Sequence, residues 1–349
     1  MAEYAISVDH LERFCTTALM KGGLNKQSAV VVAESLLFAD LRGIGSHGVV
    51  RLPIYLERIE SGVINLNSEL RIERESPGSA LLDARNGFGQ VAGSKAMGIA
   101  MEKARINGIA MVGVKNSNHF GVAAFFAMKA LREDMIGVVM TNASPAIAPY
   151  RSKDPLVGTN PLAVAVPAAK GSIVLDMATS VVARGKIRLA SLSGEKIPMD
   201  WALDADGKPT DDPGSALKGS MAPIGGPKGA GLSLVFDLLC GVLTGSCLTG
   251  EVKNITDMSG PSKTGHMFIA IDIAKFDSVE KFKESINKIV LRIKALQSVD
   301  GGPIYLPGEI ELDLEKERRV QGIPLSSEVI ARLGEVAERY GVPKLWEAA

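Results

Sequence analysis

The sequence is poor in the residues that most often announce a function. It has 3 cysteines, Cys15, Cys240 and Cys247, an odd number with no Cys-x-x-Cys spacing. That excludes a disulfide framework and a cysteine-type zinc site, and it points to a reducing compartment. Aromatic residues make up only 5%, so no base-stacking platform for nucleic acid is expected. Neither charge sign dominates: 39 Lys+Arg against 39 Asp+Glu give a formal net charge of +0. An obligatory nucleic-acid partner would need a basic face. No His, Asp and Glu residues share a helix at metal-ligand spacing, so no metal is expected. Residues Met1 to Ile6 lack the basic and apolar regions of a secretory signal. The longest apolar stretch, Gly229 to Gly250, is interrupted by Asp237 and by glycines, and reads as a buried or interface helix, not a membrane span. The expected location is the cytoplasm, with no membrane partner.

Familiar nucleotide and hydrolase signatures are missing too. There is no Walker lysine motif and no Gly-x-Ser-x-Gly elbow. Gly87-Phe88-Gly89, with Ala92 in the third position, is close to a Rossmann phosphate turn. That turn wants an acid about 20 residues on, at the end of the next strand. The strand there ends in Val114-Lys115-Asn116.

What is present is an ordinary globular composition, 46% hydrophobic and 22% charged, over 349 residues. At ~150 residues per domain, about two domains are expected. Glycine is abundant, with 37 residues. Helical periodicity runs from Ser7 to about Ser61, broken at Gly22-Gly23, with Ala29 to Leu41 and Leu52 to Ile59 as its later pieces; Glu57 and Arg58 are placed outward. Little before residue 70 reads as strand. Strands are then expected at 79–83, 109–114, 136–140, 162–166, 173–175 and 267–271. Helices are expected at 90–106, 122–132, 279–299 and 326–340. The pattern is a mixed α/β middle, 76–309, flanked by helical ends, 1–75 and 310–349, that pack as one domain.

Four histidines are available: His10, His47, His119 and His266. Histidine is the commonest general acid/base because it titrates near neutrality. His47 lies in the turn Arg42-Gly-Ile-Gly-Ser-His-Gly48, and His119 in Asn116-Ser-Asn-His-Phe-Gly121 after a strand. His10 reads as solvent-facing, and His266 precedes a strand. At helical spacing His47, Arg51 and Tyr55 share a stripe, which would set a proton-transfer group beside a carboxylate clamp. A solvated helix face accounts for the same spacing. Asp176, Thr179 and Ser180 look like the end of a strand opening into a helix, where orphan N–H groups suit an anion or a simple cap. Gly225-Gly-Pro-Lys-Gly-Ala-Gly231 looks like a phosphate cradle with Lys228 as its charge. Asp237, in an apolar helix, needs a hydrogen-bond partner if buried.

These motifs occur in one order: Ser46-His47-Gly48 with Arg51 and Tyr55, Asn118-His119-Phe-Gly121, Gly158-Thr-Asn-Pro161, Leu175-Asp-Met-Ala-Thr-Ser180, Ala183-Arg-Gly-Lys186, Gly226-Pro-Lys-Gly229 and Pro307-Gly-Glu309. The ordered set resembles the malate/L-lactate dehydrogenase type 2 family. That family includes malate, sulfolactate and ureidoglycolate dehydrogenases, diketogulonate reductase and piperideine-2-carboxylate reductases. The resemblance implies an α+β, non-Rossmann fold with a largely antiparallel cofactor-binding domain and a helical domain from both chain ends. It also implies a homodimer that uses NAD or NADP to oxidise or reduce a small carboxylate substrate at C2. Under it, His47 or His119 exchanges the proton, Arg51 holds the substrate carboxylate with Tyr55 nearby, and Thr159 lies beside the reacting centre. Val174, Asp176, Met177, Ala178, Thr179, Ser180, Lys186, Pro227, Lys228, Pro307, Gly308 and Glu309 match cofactor-contacting segments. Imine-reducing members tend to carry an acid near position 186. Lys186 therefore leans toward a 2-hydroxy acid of malate, lactate or sulfolactate type, with ureidoglycolate or a cyclic imino acid as the alternative.

Overall fold

The computed structural model describes residues 3–345. In chain order the elements are β1 (Glu3–Ile6), α1 (Val8–Lys21), α2 (Lys26–Leu41), α3 (Leu52–Glu60), β2 (Arg71–Ser76), β3 (Ser79–Asp83), α4 (Gly89–Asn107) and β4 (Ile109–Ser117). Next come α5 (Ala123–Ala127), β5 (Met135–Thr141), β6 (Leu162–Pro167), β7 (Ser172–Met177), α6 (Arg184–Ser193), β8 (Ala202–Leu203), α7 (Pro213–Lys218) and β9 (Ser220–Met221). The last are α8 (Pro227–Asp237), β10 (Thr264–Asp272), α9 (Val279–Lys294), α10 (Glu309–Gln321), β11 (Ile323–Ser326) and α11 (Ser327–Tyr340).

Side-chain caps explain several of the helix starts. Ser7, Asn25, Ser278 and Ser326 accept a backbone N–H three residues on and so satisfy an orphan donor. The middle of the chain forms a 7-stranded sheet in the order β2-β3-β4-β10-β5-β6-β7. Only β3 and β4 run parallel, joined by the α4 crossover; every other neighbouring pair is antiparallel. Ala92, Ala96, Met97, Ala100 and Ala104 seat α4 on this sheet. A second apolar core gathers Leu11, Phe14, Leu36 and Leu56 with Ile323, Leu325, Leu333 and Val336, so both ends of the chain bury their apolar faces together.

Several expectations need correction. β1 pairs antiparallel with β11, from Glu3 opposite Ser326 to Ile6 opposite Ile323. A four-residue strand whose partner lies at the far end of the chain leaves no local signal before residue 70. The helix expected at 122–132 is α5 followed by a 3₁₀ turn, Ala130–Glu133, and α9 stops at Lys294. Residues 176–180 do not open a helix; β7 ends at Met177 and α6 starts at Arg184. The apolar helix expected within 229–250 is also interrupted. α8 ends at Asp237 and a π-helical turn, Leu238–Val242, continues it. Its apolar residues are not all buried: Leu232, Leu234, Val235, Leu238, Val242 and Leu243 are each about half exposed in the single chain. Among the described residues, no helix is long and apolar enough to cross a membrane.

Candidate active site

The sharp turn after α2 carries the first half of the site. Residues Gly45–His47 and Val49–Arg51 form two successive 3₁₀ turns that lead into α3. Buried Asp40 holds this turn: its Oδ2 accepts the Val49 N–H at 2.7 Å. Gly48 lies so close to it that a Cβ would come within 1.8 Å of Asp40 Oδ1. Burial pushes the Asp40 carboxyl up to about 7, against the opposing pull of the Val49 bond and Arg318.

The second half is the loop after β4. Asn118 donates to the carbonyls of Asn86 and Gly87, which fixes the backbone that carries His119. The rings of His47 and His119 stack with centroids 5.5 Å apart. Ser46 Oγ lies 2.9 Å from His47 Nδ1. Tyr55 OH lies 2.8 Å from His119 Nδ1, and Gln90 Nε2 donates to Tyr55 OH at 2.8 Å. Arg51 spends its Nε on the Ser46 carbonyl at 2.7 Å; its two terminal nitrogens have no protein partner among the described residues.

Burial is the main influence on both imidazoles. His47 is pushed down to about 4, with Arg51 adding to the effect. His119 is held well below its ordinary value by burial first and then by His47 and Arg51. Both rings are therefore neutral at pH 7 and either can accept a proton. Tyr55 is fully inside, so the His47, Arg51, Tyr55 stripe is not a solvated face.

The motifs that follow assemble along one strip. Thr179 N–H donates to Thr159 O at 2.9 Å, and Ile224 N–H to Thr179 O at 2.8 Å. Val174 N–H donates to Pro307 O at 2.9 Å. Segments around 159, 174–180, 224–228 and 307–309 thus meet, although about 150 residues of chain separate the first from the last. A cavity of about 220 Å³ opens there, lined by Arg42, Ile44, Val174, Asp176, Pro307 and Gly308 among others. Asp176 is held at its edge by the Ala124 N–H, 2.8 Å away, and burial raises its carboxyl to about 6. Gly225 and Gly226 both take positive φ, which lets the chain turn into α8 with Pro227 in its first turn. The start of α6 reaches the histidine turn: a Cβ on Gly185 would lie 3.9 Å from Ser46 Cβ.

Not every candidate joins the site. Lys186 and Lys228 point to solvent. Glu309 is tied to Lys294 and to the Leu306 N–H, so it closes its own turn. His266 lies inside β10, not before it. It is bonded to Thr141 Oγ1 and Ser117 Oγ at 2.6 and 2.8 Å, and stacked on Phe120 at 4.5 Å. Asp237 is buried, yet its Oδ2 has no hydrogen-bond partner among the described residues. Arg58, expected outward, is 1% exposed. It donates to Asn118 Oδ1, Ser262 Oγ and the carbonyls of Ile255 and Asp257. Arg42, Asp40 and Gln90 were also missed, because a polar residue on a helix gives no sign of which distant carbonyl or hydroxyl it will meet.

The model of the malate/L-lactate dehydrogenase family matches residues 6–334. A malate dehydrogenase of Pyrococcus abyssi is 42% identical over 349 residues, covering 97% of this chain and 96% of that protein. A ureidoglycolate dehydrogenase (NAD(+)) of Escherichia coli K12 is 36% identical over 327 residues, 93% of each. Among solved structures, the sulfolactate dehydrogenase of Methanocaldococcus jannaschii superposes with a TM-score of 0.92 at 36% identity, covering 97% of this chain and 98% of that one.

Proposed function

The chain belongs to the malate/L-lactate dehydrogenase family, and from that premise we propose that it uses NAD or NADP to interconvert a small 2-hydroxy acid and its 2-oxo acid. It is a hydroxy-acid dehydrogenase. The observation that carries the mechanistic reading is the stacked pair of neutral histidines beside an arginine with both terminal nitrogens free.

Hydride chemistry comes from the bound nicotinamide ring; the protein must hold the acid, orient it and move one proton. Arg51 grips the 2-carboxylate through its two free nitrogens, a geometry lysine cannot reproduce. His119 or His47 takes the hydroxyl proton in oxidation and returns it in reduction, and its neutrality at pH 7 leaves a lone pair ready for that proton. Thr159, whose carbonyl accepts from the Thr179 N–H, would lie beside the reacting centre. The strip suits a dinucleotide. Thr179 Oγ1 is buried there without a partner among the described residues. At the start of α8 the N–H groups of Lys228, Gly229 and Ala230 already donate to Gly225, Ile224 and Gly226 carbonyls, so the Lys228 side chain is the group there that would meet a phosphate. Val174, Asp176, Met177, Ala178, Thr179, Ser180, Pro227, Pro307 and Gly308 would line it, with Lys186 on α6 as an exposed cation.

The choice among acids rests on charge. Burial is the largest influence lowering Arg51, and Arg188 on α6 and Arg332 on α11 add to it, while Tyr55 opposes it. Neither Arg188 nor Arg332 forms an ion pair among the described residues. Three guanidinium groups favour a substrate with a second negative group, of malate or sulfolactate type, over lactate. Ureidoglycolate and cyclic imino acids offer this cluster only one carboxylate. The test is a panel of oxaloacetate, sulfopyruvate, pyruvate and a cyclic imine with NADH or NADPH, followed by loss of reduced-nicotinamide absorbance. Turnover of the imine alone would overturn the reading.

The same proposal covers the assembly. The mainly antiparallel sheet supports a non-Rossmann cofactor domain over 76–309, whose sheet also takes in β2 from residue 71, and the shared core of both chain ends supports a helical domain from the remainder of 1–75 with 310–349. The apolar stripe of α8 would be covered by a second copy, giving a homodimer whose interface steadies Lys228. A cytoplasmic location agrees with three free, buried thiols. Sedimentation at low micromolar concentration should give a dimer; a stable, fully active monomer would refute it.

A further inference from the structure

Gln90 is a fully buried amide in the first turn of α4. The helix start is pressed against the His119 loop: a Cβ on Gly89 would lie 2.2 Å from Asn118 O and 2.7 Å from His119 O. Only glycine allows that approach, and it delivers the next residue, Gln90, to the Tyr55 hydroxyl. The result is a three-member chain, Gln90 to Tyr55 to His119, with both links at 2.8 Å. Tyr55 is clamped edge-on against Phe88, with ring centroids 5.9 Å apart. At the far end, His119 Nε2 has no protein partner among the described residues. At the near end, Gln90 Oε1 is buried without one.

We propose that Gln90 is a positioning residue: acting through the Tyr55 hydroxyl, its amide decides which ring nitrogen of His119 carries the proton. The proposal rests on His119 being the residue that exchanges the proton with substrate. A hydroxyl has one proton to give. When the Gln90 N–H faces Tyr55, that proton goes to His119 Nδ1, and the neutral ring carries its own at Nε2. When the amide is reversed, Oε1 takes the Tyr55 proton, the Tyr55 oxygen accepts from Nδ1–H, and Nε2 is bare. The amide has the same outline in both orientations, so exchanging its Oε1 and Nε2 by rotation requires no neighbouring heavy atom to move. Each orientation leaves one end of the amide without a protein partner, so neither is favoured on that count.

Proton exchange with substrate uses the second state in both directions. In oxidation the substrate O–H bond breaks and its proton bonds to a bare Nε2, while the C2 hydride leaves for the oxidised nicotinamide. The ring is then an imidazolium, with Nδ1–H held by Tyr55, and it releases its proton to solvent. Reduction runs the same bonds backward. An amide that accepts from Tyr55 keeps Nδ1–H held and Nε2 bare for the proton in oxidation, and leaves the same ring once the proton is returned in reduction. Leucine or methionine can neither donate nor accept at Tyr55, and an ionised glutamate can only accept.

Histidine-selective ¹⁵N NMR is tractable with 4 histidines in the chain, the His119 signal being assigned by its loss in His119→Ala. In Gln90→Met the Tyr55 proton has only Nδ1 to go to, so the neutral ring is expected as Nε2–H. In Gln90→Glu, measured where the new carboxyl is ionised, the ring is expected as Nδ1–H. Adding Tyr55→Phe to either variant should erase the difference. Kinetically, Gln90→Met should lower kcat for hydroxy-acid oxidation about 10- to 100-fold with KM nearly unchanged. The same tautomer in folded Gln90→Met and Gln90→Glu overturns the proposal. So does a difference that survives Tyr55→Phe. Turnover of His119→Ala reports separately on the proton-exchange reading: full activity there removes that reading, while the tautomer measurement still decides the role of Gln90.

Discussion

Replacing Arg58 by alanine should be among the most damaging single changes in the chain, although the residue touches neither substrate nor cofactor. Its side chain is 1% exposed. One terminal nitrogen donates to the carbonyls of Ile255 and Asp257, both at 3.0 Å. The other donates to Asn118 Oδ1 at 3.1 Å and Ser262 Oγ at 2.8 Å. The guanidinium therefore pins the 255–262 loop to α3 and to the residue preceding His119. Hydrogen bonds from a charged donor contribute about 1.5–3 kcal/mol each when removed singly. Four bonds to one group are not additive, and water entering the vacated space restores some of them. A loss of about 3–5 kcal/mol is expected, in the range for breaking a buried network. Arg58→Lys keeps the charge but reaches only one side of the fork, so it should lose roughly half as much. Urea unfolding followed by tryptophan fluorescence measures both. Turnover should fall as well, about 10-fold, because a freed Asn118 no longer fixes the His119 backbone. An Arg58→Ala protein less than about 1 kcal/mol below wild type would refute the reasoning.

Gly308→Ala should cost about 2–4 kcal/mol, since alanine is strained at φ +87° and its Cβ would lie 2.8 Å from Val174 Cβ and 2.9 Å from Val174 O. Chemical denaturation tests the stability, and weaker quenching by NADH tests the strip. Acid stability should single out His266, which burial pushes down to about 3. Its folded ring resists a proton that the unfolded chain binds below about 6.5, so its stabilising contribution is complete above that pH and lost as pH falls toward 3. Asp40 and Asp176, raised to about 7 and about 6, act in the opposite direction. They do so equally in both proteins, so the stability gap between wild type and His266→Gln should narrow from pH 6.5 downward. A constant gap would show that the buried ring is not the cause. Arg51→Lys should raise KM for the 2-hydroxy acid far more than it weakens NADH binding; equal losses would remove Arg51 as the carboxylate clamp.

Where the evidence for an element lies within a few residues, the sequence was enough. The apolar spacing of Leu11, Phe14 and Leu19 and the stop at Gly22-Gly23 made α1 readable, and the β-branched runs at 109–114 and 136–140 made β4 and β5 readable. The same holds for the glycine-rich approach to Pro227-Lys228. These are matters of residue type and local spacing, and short-range sterics and periodicity decide them.

Tertiary packing decided the rest. β1 exists because Ile6 finds Ile323 across the length of the chain. Arg58 turned inward because carbonyls 197 and 199 residues away needed a donor. His266 became structural once Thr141 and Ser117 closed on both of its nitrogens. His47 and His119, 72 positions apart in the sequence, face one another only because α2 packs on α4, α4 lies across the sheet, and Arg58 of α3 ties to Asn118. Hydrogen-bond partners and burial are properties of the folded surroundings. A sequence names the groups able to carry a proton; the dielectric and the neighbours that settle where the proton sits arise only when distant segments have packed.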